Sequence, residues 1–259
     1  YGSLTGYGEK GPDSHRTAFD TMAWWARSGL MDIVRPSENS APANPPIGMG
    51  DQPTGVALFA SIMTALYRRE KTGKGGEVHT SLMANGAWSN GSFIQAGLFG
   101  AQFPERKEPS PLHPFGGRYK TKDNRYLILA IIDANKEWPK LLKALDIEYL
   151  NEDPRFSSFK KMNENFTILY EELEKIFIQY SLKEITEKLR FSEVTFGILS
   201  HSNDHSKDQQ FIESEVLVKF DESSFDEDFF TVNSPIFLEN ESKKIPTKAP
   251  KLGEHTKEI

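Results

Sequence analysis

The sequence predicts an α/β protein built in two parts. Three observations carry that expectation. Residues 53–70 hold a wide apolar stripe at helical spacing, and Glu77 to Leu82 then alternates as a strand does. Four prolines (Pro104, Pro109, Pro111 and Pro114) interrupt the pattern between 101 and 117, which places a domain boundary there. Beyond the break, Arg118 to Ala130 reads as a β-hairpin followed by helices.

Taken in order, residues 1–12 form a glycine-rich turn region. Residues 14–27 read as a helix with Ala18, Phe19, Met22, Ala23 and Ala26 near one face, and Ser28-Gly29 ends it. Trp24 and Trp25 belong to a core or an interface. Residues 35–50 form a loop rich in Pro and Asn, long enough to carry function or connect two layers. In the helix 53–70, Val56, Phe59, Met63 and Leu66 make one stripe, which Leu58, Ile62 and Ala65 widen. A face that wide predicts burial. Arg68, Arg69 and Lys71 suit its C-terminal end, and Gly73 stops it.

Residues 83–99 read as helical and largely buried. The hairpin turns at Asp123-Asn124. Helices follow near 134–145 and 163–180, and Ser181 with Glu184 makes a capping box for another. Strands are expected at 193–200 and 215–220. Residues 221–230 form an acidic loop with interleaved phenylalanines. From 231, short strands and prolines suggest a return to another layer.

Composition narrows the function. The 259 residues are 37% apolar and 26% charged, with no apolar run of the roughly 18 residues that span a membrane. A net charge of −6 argues against general nucleic-acid binding. The lack of cysteine excludes disulfides, thiolate metal sites and a cysteine nucleophile, and it fits a cytoplasmic protein. The chain opens on Tyr1 and closes on Glu254 to Ile259, which reads as a helix beginning. It is therefore expected to be a piece of something longer.

The most informative stretch is Gly48-Met49-Gly50-Asp51-Gln52-Pro53-Thr54-Gly55. Glycines leave the Asp51 carboxylate uncrowded, and the helix behind it presents its positive dipole end. Covalent catalysis by an aspartate needs such a setting. The competing reading is a plain N-cap, with Pro53 in the first turn.

Other motifs carry less. Gly6-Tyr7-Gly8-Glu9-Lys10-Gly11 matches the dinucleotide fingerprint in letters, but Pro12-Asp13 follows where a helix should already run. A turn across a sheet end is the better reading. Gly73-Lys74-Gly75-Gly76 is a helix-to-strand turn. Gly116-Gly117 could bring backbone amides to an oxyanion, or could be a hinge before a strand. His201 and His205 have metal-pair spacing but sit among loop residues, and no metal is expected. Arg118, Lys120, Lys122 and Arg125 read as a solvated positive face.

Several of these segments, in order, resemble class III CoA-transferases, the superfamily of formyl-CoA transferase, carnitine CoA-transferase and α-methylacyl-CoA racemase. They are Gly6 to Pro12, Phe19-Asp20 with Ser28 to Met31, Gly50-Asp51 with Thr54-Gly55, Leu66 to Gly75, Asp153 to Phe156, and Leu252 to Thr256. The resemblance runs from about residue 2 to the end. It implies a Rossmann-like large domain, incomplete here, plus a smaller α+β domain, in an interlocked homodimer. The large domain would comprise about 1–110 and 231–259, and the small domain 111–230.

The resemblance also makes Asp51 the catalytic aspartate. Gly116, Gly117, Phe19 and Arg16 become candidate contacts to coenzyme A, which enters as the acyl-CoA substrate. Gly116-Gly117 is shorter than the four-glycine loop of formyl-CoA transferase. The racemase branch carries a histidine where this chain has Phe19, and phenylalanine cannot move a proton. Transfer of CoA from an acyl-CoA to a carboxylic acid is therefore favoured over racemisation. Two alternatives stand beside it: an α-methylacyl-CoA racemase-like enzyme using Asp51 and a second, unidentified base, and a catalytically silent or truncated member kept for assembly. The wording of 6–12 and 23–31 resembles the branch acting on aryl- or 2-hydroxyacyl-CoA.

Overall fold

The computed structural model describes residues 1–106, 112–221, 223, 225 and 229–258. Pro109, Pro111 and Ile259, and much of the acidic loop 221–230, lie outside the described residues. The chain packs as two units, Tyr1–Pro111 and Leu112–Ile259.

In the first unit, β1 (Gly2–Thr5) pairs in parallel with β2 (Val78–Ser81), with Gly2 opposite Val78 and Thr5 opposite Ser81. The sequence reading had only a turn at 1–12. Four residues are too few to show a period, and this strand exists through its partner some 75 positions away. The fingerprint glycines follow β1 directly, but no helix opens behind them. The chain instead runs irregularly to a π-helical segment, Asp20–Ala26. The expected helix 14–27 is thus shorter and wider-wound.

Next come α1 (Leu30–Ile33), the long loop, and α2 (Asp51–Thr72). α2 is the helix that the 53–70 stripe predicts. Gly73 ends it at φ 68°, a left-handed conformation that glycine adopts without strain. α3 (Leu82–Ser89) and α4 (Gly91–Leu98) follow, separated at Asn90.

The expected burial of α2 is not met. Val56, Phe59 and Met63 are 47%, 48% and 48% exposed, and among its residues only Thr54 is buried. A rod of 22 residues presents more apolar surface than a two-stranded sheet and α3 can cover. Trp88, Leu98 and Phe99 on α3, α4 and the turn after them are likewise exposed, against the expected burial of 83–99. The buried apolar cluster of this unit is small: Tyr7, Ala23, Trp24 and Leu82.

The second unit has the larger core. β3 (Arg118–Lys120), β4 (Tyr126–Leu129) and β5 (Phe196–Ile198) form an antiparallel sheet in that order. The hairpin turns at Asn124, which takes φ 59°. Tyr119, Leu127 and Leu129 point to one face and are fully buried, as strand alternation requires.

The helices supply the other half of this core. They are α5 (Ala134–Leu145), α6 (Phe159–Glu164), α7 (Phe166–Phe177) and α8 (Leu182–Phe191). Leu141 and Leu145 of α5, Met162 of α6, Leu169, Leu173 and Phe177 of α7, and Ile185 and Leu189 of α8 are among their buried residues. Tyr119 stacks on Phe177 with centroids 4.3 Å apart. The helix expected at 163–180 is α7, shorter at both ends, and α6 precedes it across Asn165. α9 (Gln209–Glu213) and the antiparallel pair β6 (Leu217–Lys219) and β7 (Phe230–Val232) complete the unit. Residues 252–258 are turns rather than the expected nascent helix.

Candidate active site

Asp51 is the first residue of α2, not its cap. Gly50 occupies the N-cap position, and no side chain caps the helix. The Asp51 side chain is exposed and has no hydrogen bond or ion pair among the described residues. The positive end of α2 lies directly behind this carboxylate. Local sequence produces part of this: Pro53 in the first turn needs no N–H partner, and apolar residues at helical spacing carry the rod onward.

The residue that sets the geometry is Asp20. Its carboxylate is 3% exposed and accepts the backbone N–H of Gly50 at 3.3 Å. The other oxygen accepts the Thr21 N–H at 2.6 Å and the Thr21 hydroxyl at 3.2 Å. From inside α2, the buried Thr54 hydroxyl donates to the Gly50 carbonyl at 2.6 Å. A Cβ on Gly50 would stand 2.5 Å from Trp24 Cγ, so the indole packs where only a glycine fits. Trp24 is held in turn from the other side, because a Cβ on Gly86 of α3 would meet its carbonyl oxygen at 2.3 Å. Sequence reasoning passed over Asp20 as part of a helix. It lies off the face expected to be apolar, and no local signal points to its partner 30 residues on.

The other candidates divide. Phe19 precedes Asp20 and is 66% exposed, so the Asp20–Gly50 bond brings the Phe19 and Asp51 segments side by side. Arg16 lies three residues earlier. It donates to Asp13 at 3.1 Å and stands 5.6 Å from the Tyr7 ring centroid. Its hydrogen bond with Asp13 raises the guanidinium pKa, so it is a permanent cation.

Gly116 and Gly117 belong to the second unit. The Gly116 N–H donates to the His113 carbonyl at 3.0 Å, so in this conformation it closes a turn. Gly117 is buried against Tyr170, whose ring carbon Cε2 would lie 2.6 Å from an added Cβ. This close approach accounts for the glycine at 117 by packing alone.

His201 precedes a turn and His205 opens the one-turn 3-10 helix after it, so their spacing does not place them on one helical face. A cavity of about 680 Å³ in the first unit is walled by Ile33, Phe93, Ile94 and Phe103, with Asn90 and Arg106 among its polar residues. Asp51, Phe19 and Arg16 do not line it.

Comparison with known proteins matches the chain to one family. The model of CoA-transferase family III matches residues 1–256. A relative from Clostridioides difficile, an (R)-2-hydroxy-4-methylpentanoate CoA-transferase, is 32% identical over all of this chain and 64% of its own length. A cinnamoyl-CoA:phenyllactate CoA-transferase from Clostridium sporogenes is 27% identical over all of this chain and 63% of its own. The crystal structure of a CAIB/BAIF family protein from Brucella suis superposes with a TM-score of 0.83 at 25% identity, over 100% of this chain and 66% of that one. The chain thus spans a little under two thirds of the curated relatives it matches. Its mixed α/β architecture and its sequence agree, and the chain belongs to CoA-transferase family III.

Proposed function

We propose that the protein to which these residues belong moves CoA from an acyl-CoA to a carboxylic acid, with Asp51 as nucleophile. The observation that carries this reading is an aspartate at the start of a long helix with its carboxylate uncommitted and its neighbouring peptide fixed.

An Asp51 oxygen attacks the donor thioester carbonyl, and the C–S bond breaks. CoA leaves as thiolate, and the acyl group remains as a mixed anhydride. The thiolate then attacks the aspartyl carbonyl, releasing the donor acid as carboxylate and leaving an aspartyl–CoA thioester. The acceptor carboxylate attacks that thioester and expels the thiolate. The thiolate takes the new acyl group and regenerates the Asp51 carboxylate. Each step exchanges one acyl bond for another, which is the advantage of the covalent route.

Backbone amides at the start of α2 stabilise the oxyanions, a donor of this kind typically contributing about 3 kcal/mol. Gly116 can present its N–H to a ligand only when that N–H leaves the His113 carbonyl. Phe19 shapes the acyl pocket, and its side chain carries no proton to support racemisation. Arg16 offers a fixed cation to the phosphates of CoA. The names of the two relatives favour 2-hydroxy and aryl acids as the acyl class.

In the whole protein, a Rossmann-like layer extends the β1–β2 pair and covers the apolar face of α2. Residues 111–230 belong to the small domain, and two chains interlock as a cytoplasmic homodimer. The test is an exchange assay on the whole protein. An acyl-CoA and a second carboxylic acid are mixed, and the new CoA ester is weighed by mass spectrometry. Hydroxylamine added during turnover should modify Asp51. Turnover with Asp51 never modified would end this reading.

A further inference from the structure

Among the described residues, Asp20 is the one buried carboxylate, and the proposed chemistry does not use it. Burying a carboxylate is costly unless its oxygens are hydrogen-bonded, so its presence needs a cause. Both oxygens are engaged, and their partners lie at the two segments meeting beside Asp51.

The backbone N–H of an N-cap residue is met, in a capping box, by a Glu or Gln side chain at the third helical position. In α2 that position is Pro53, which offers no acceptor, and Asp51 makes no capping bond. Asp20 reaches the Gly50 N–H from 30 residues upstream. Its charge also meets the positive end of the α2 dipole.

We infer that Asp20 is a positioning residue: it supplies from a distance the acceptor that a capping-box side chain at N3 would supply, and so fixes the peptide from which the Asp51 carboxylate projects. The inference rests on the reading of Asp51 as nucleophile. The Gly50 peptide is held on three sides, its N–H by Asp20, its carbonyl by Thr54 and its Cα by Trp24. Of the three, only the Asp20 bond reaches that N–H, and Asp51 is the next residue along. Releasing it lets the Gly50 peptide, and with it the start of α2, rotate.

The experiment uses the whole protein with Asp20→Ala, Asp20→Asn and Asp51→Ala. A nucleophile misplaced by about 1 Å loses on the order of 100-fold in rate, so Asp20→Ala should lower kcat by about 10- to 100-fold. KM for both substrates should stay within about twofold, since the loss falls on the reacting step. Hydroxylamine modification of Asp51 should slow in parallel. Asparagine has one oxygen for donors that now occupy two, so Asp20→Asn should lose less, about 3- to 10-fold.

If Asp20→Ala does not fold, the asparagine variant decides. A kcat loss at unchanged KM supports positioning. A wild-type kcat in folded enzyme, with only the melting temperature lowered, overturns it. Asp51→Ala separates the two readings. If it is inactive while the Asp20 variants turn over normally, only the positioning role falls. If it remains active, the nucleophile assignment falls and takes this inference with it.

Discussion

Trp24 packs against the bare Cα of Gly50, with room for no further carbon: an added Cβ would lie 2.5 Å from Cγ and 2.6 Å from Cβ of the tryptophan. The indole cannot retreat easily, because its backbone is pressed against Gly86 of α3. Gly50→Ala should therefore cost about 1–3 kcal/mol of stability, the usual range for overpacking. Urea denaturation measures that cost, and the CoA exchange assay should show kcat falling with it.

Asp51 contrasts with its neighbour. Because its side chain has no partner among the described residues, Asp51→Ala should remove only its interaction with the helix dipole, less than about 1 kcal/mol. The same variant should abolish exchange. Loss of activity with a near-unchanged denaturation midpoint is the expected pair of results.

Gly117 is a packing position. Tyr170 lies against it and donates its hydroxyl to the Arg118 carbonyl at 2.6 Å. Gly117→Ala should destabilise the protein by about 1–3 kcal/mol. Adding Tyr170→Ala should recover part of this, since the two changes share one contact. A thermodynamic cycle over the two single variants and the double variant checks the coupling.

Asp123 makes stability depend on acid. The Thr121 hydroxyl donates to it at 2.6 Å, and the Leu182 N–H, at the start of α8, donates at 3.0 Å. These bonds favour the ionised form and hold the folded-state pKa below the ordinary carboxylate value. Its contribution is therefore fully present above the unfolded value of about 3.9 and disappears as pH falls through the lower folded value. Denaturation midpoints should drop below about pH 4, and Asp123→Asn should flatten part of that drop.

Much of the architecture is written locally. The α5 segment follows the spacing of Trp138, Leu141, Leu142 and Leu145. The Ser181–Glu184 capping box forms in both directions at the start of α8. The hairpin turns at Asn124, and α2 stops at Gly73. Each signal spans a few residues, and short-range sterics and hydrogen bonds suffice to read it. The ordered family motifs likewise made CoA-transferase membership legible, along with the aspartate on which the proposed chemistry rests.

Tertiary structure decided what depends on residues far apart in the chain. β1 is a strand because β2 pairs with it, and the π-helical turn follows from contacts with α3 and the start of α2. The outward-facing stripe of α2 contradicts its own periodicity, since a pattern fixes which face is apolar but not whether a neighbour covers it. The bond from Asp20 to Gly50 crosses 30 residues and leaves no periodic trace. Only folding brings that carboxylate to the helix end, where it accepts the Gly50 N–H beside the exposed Asp51.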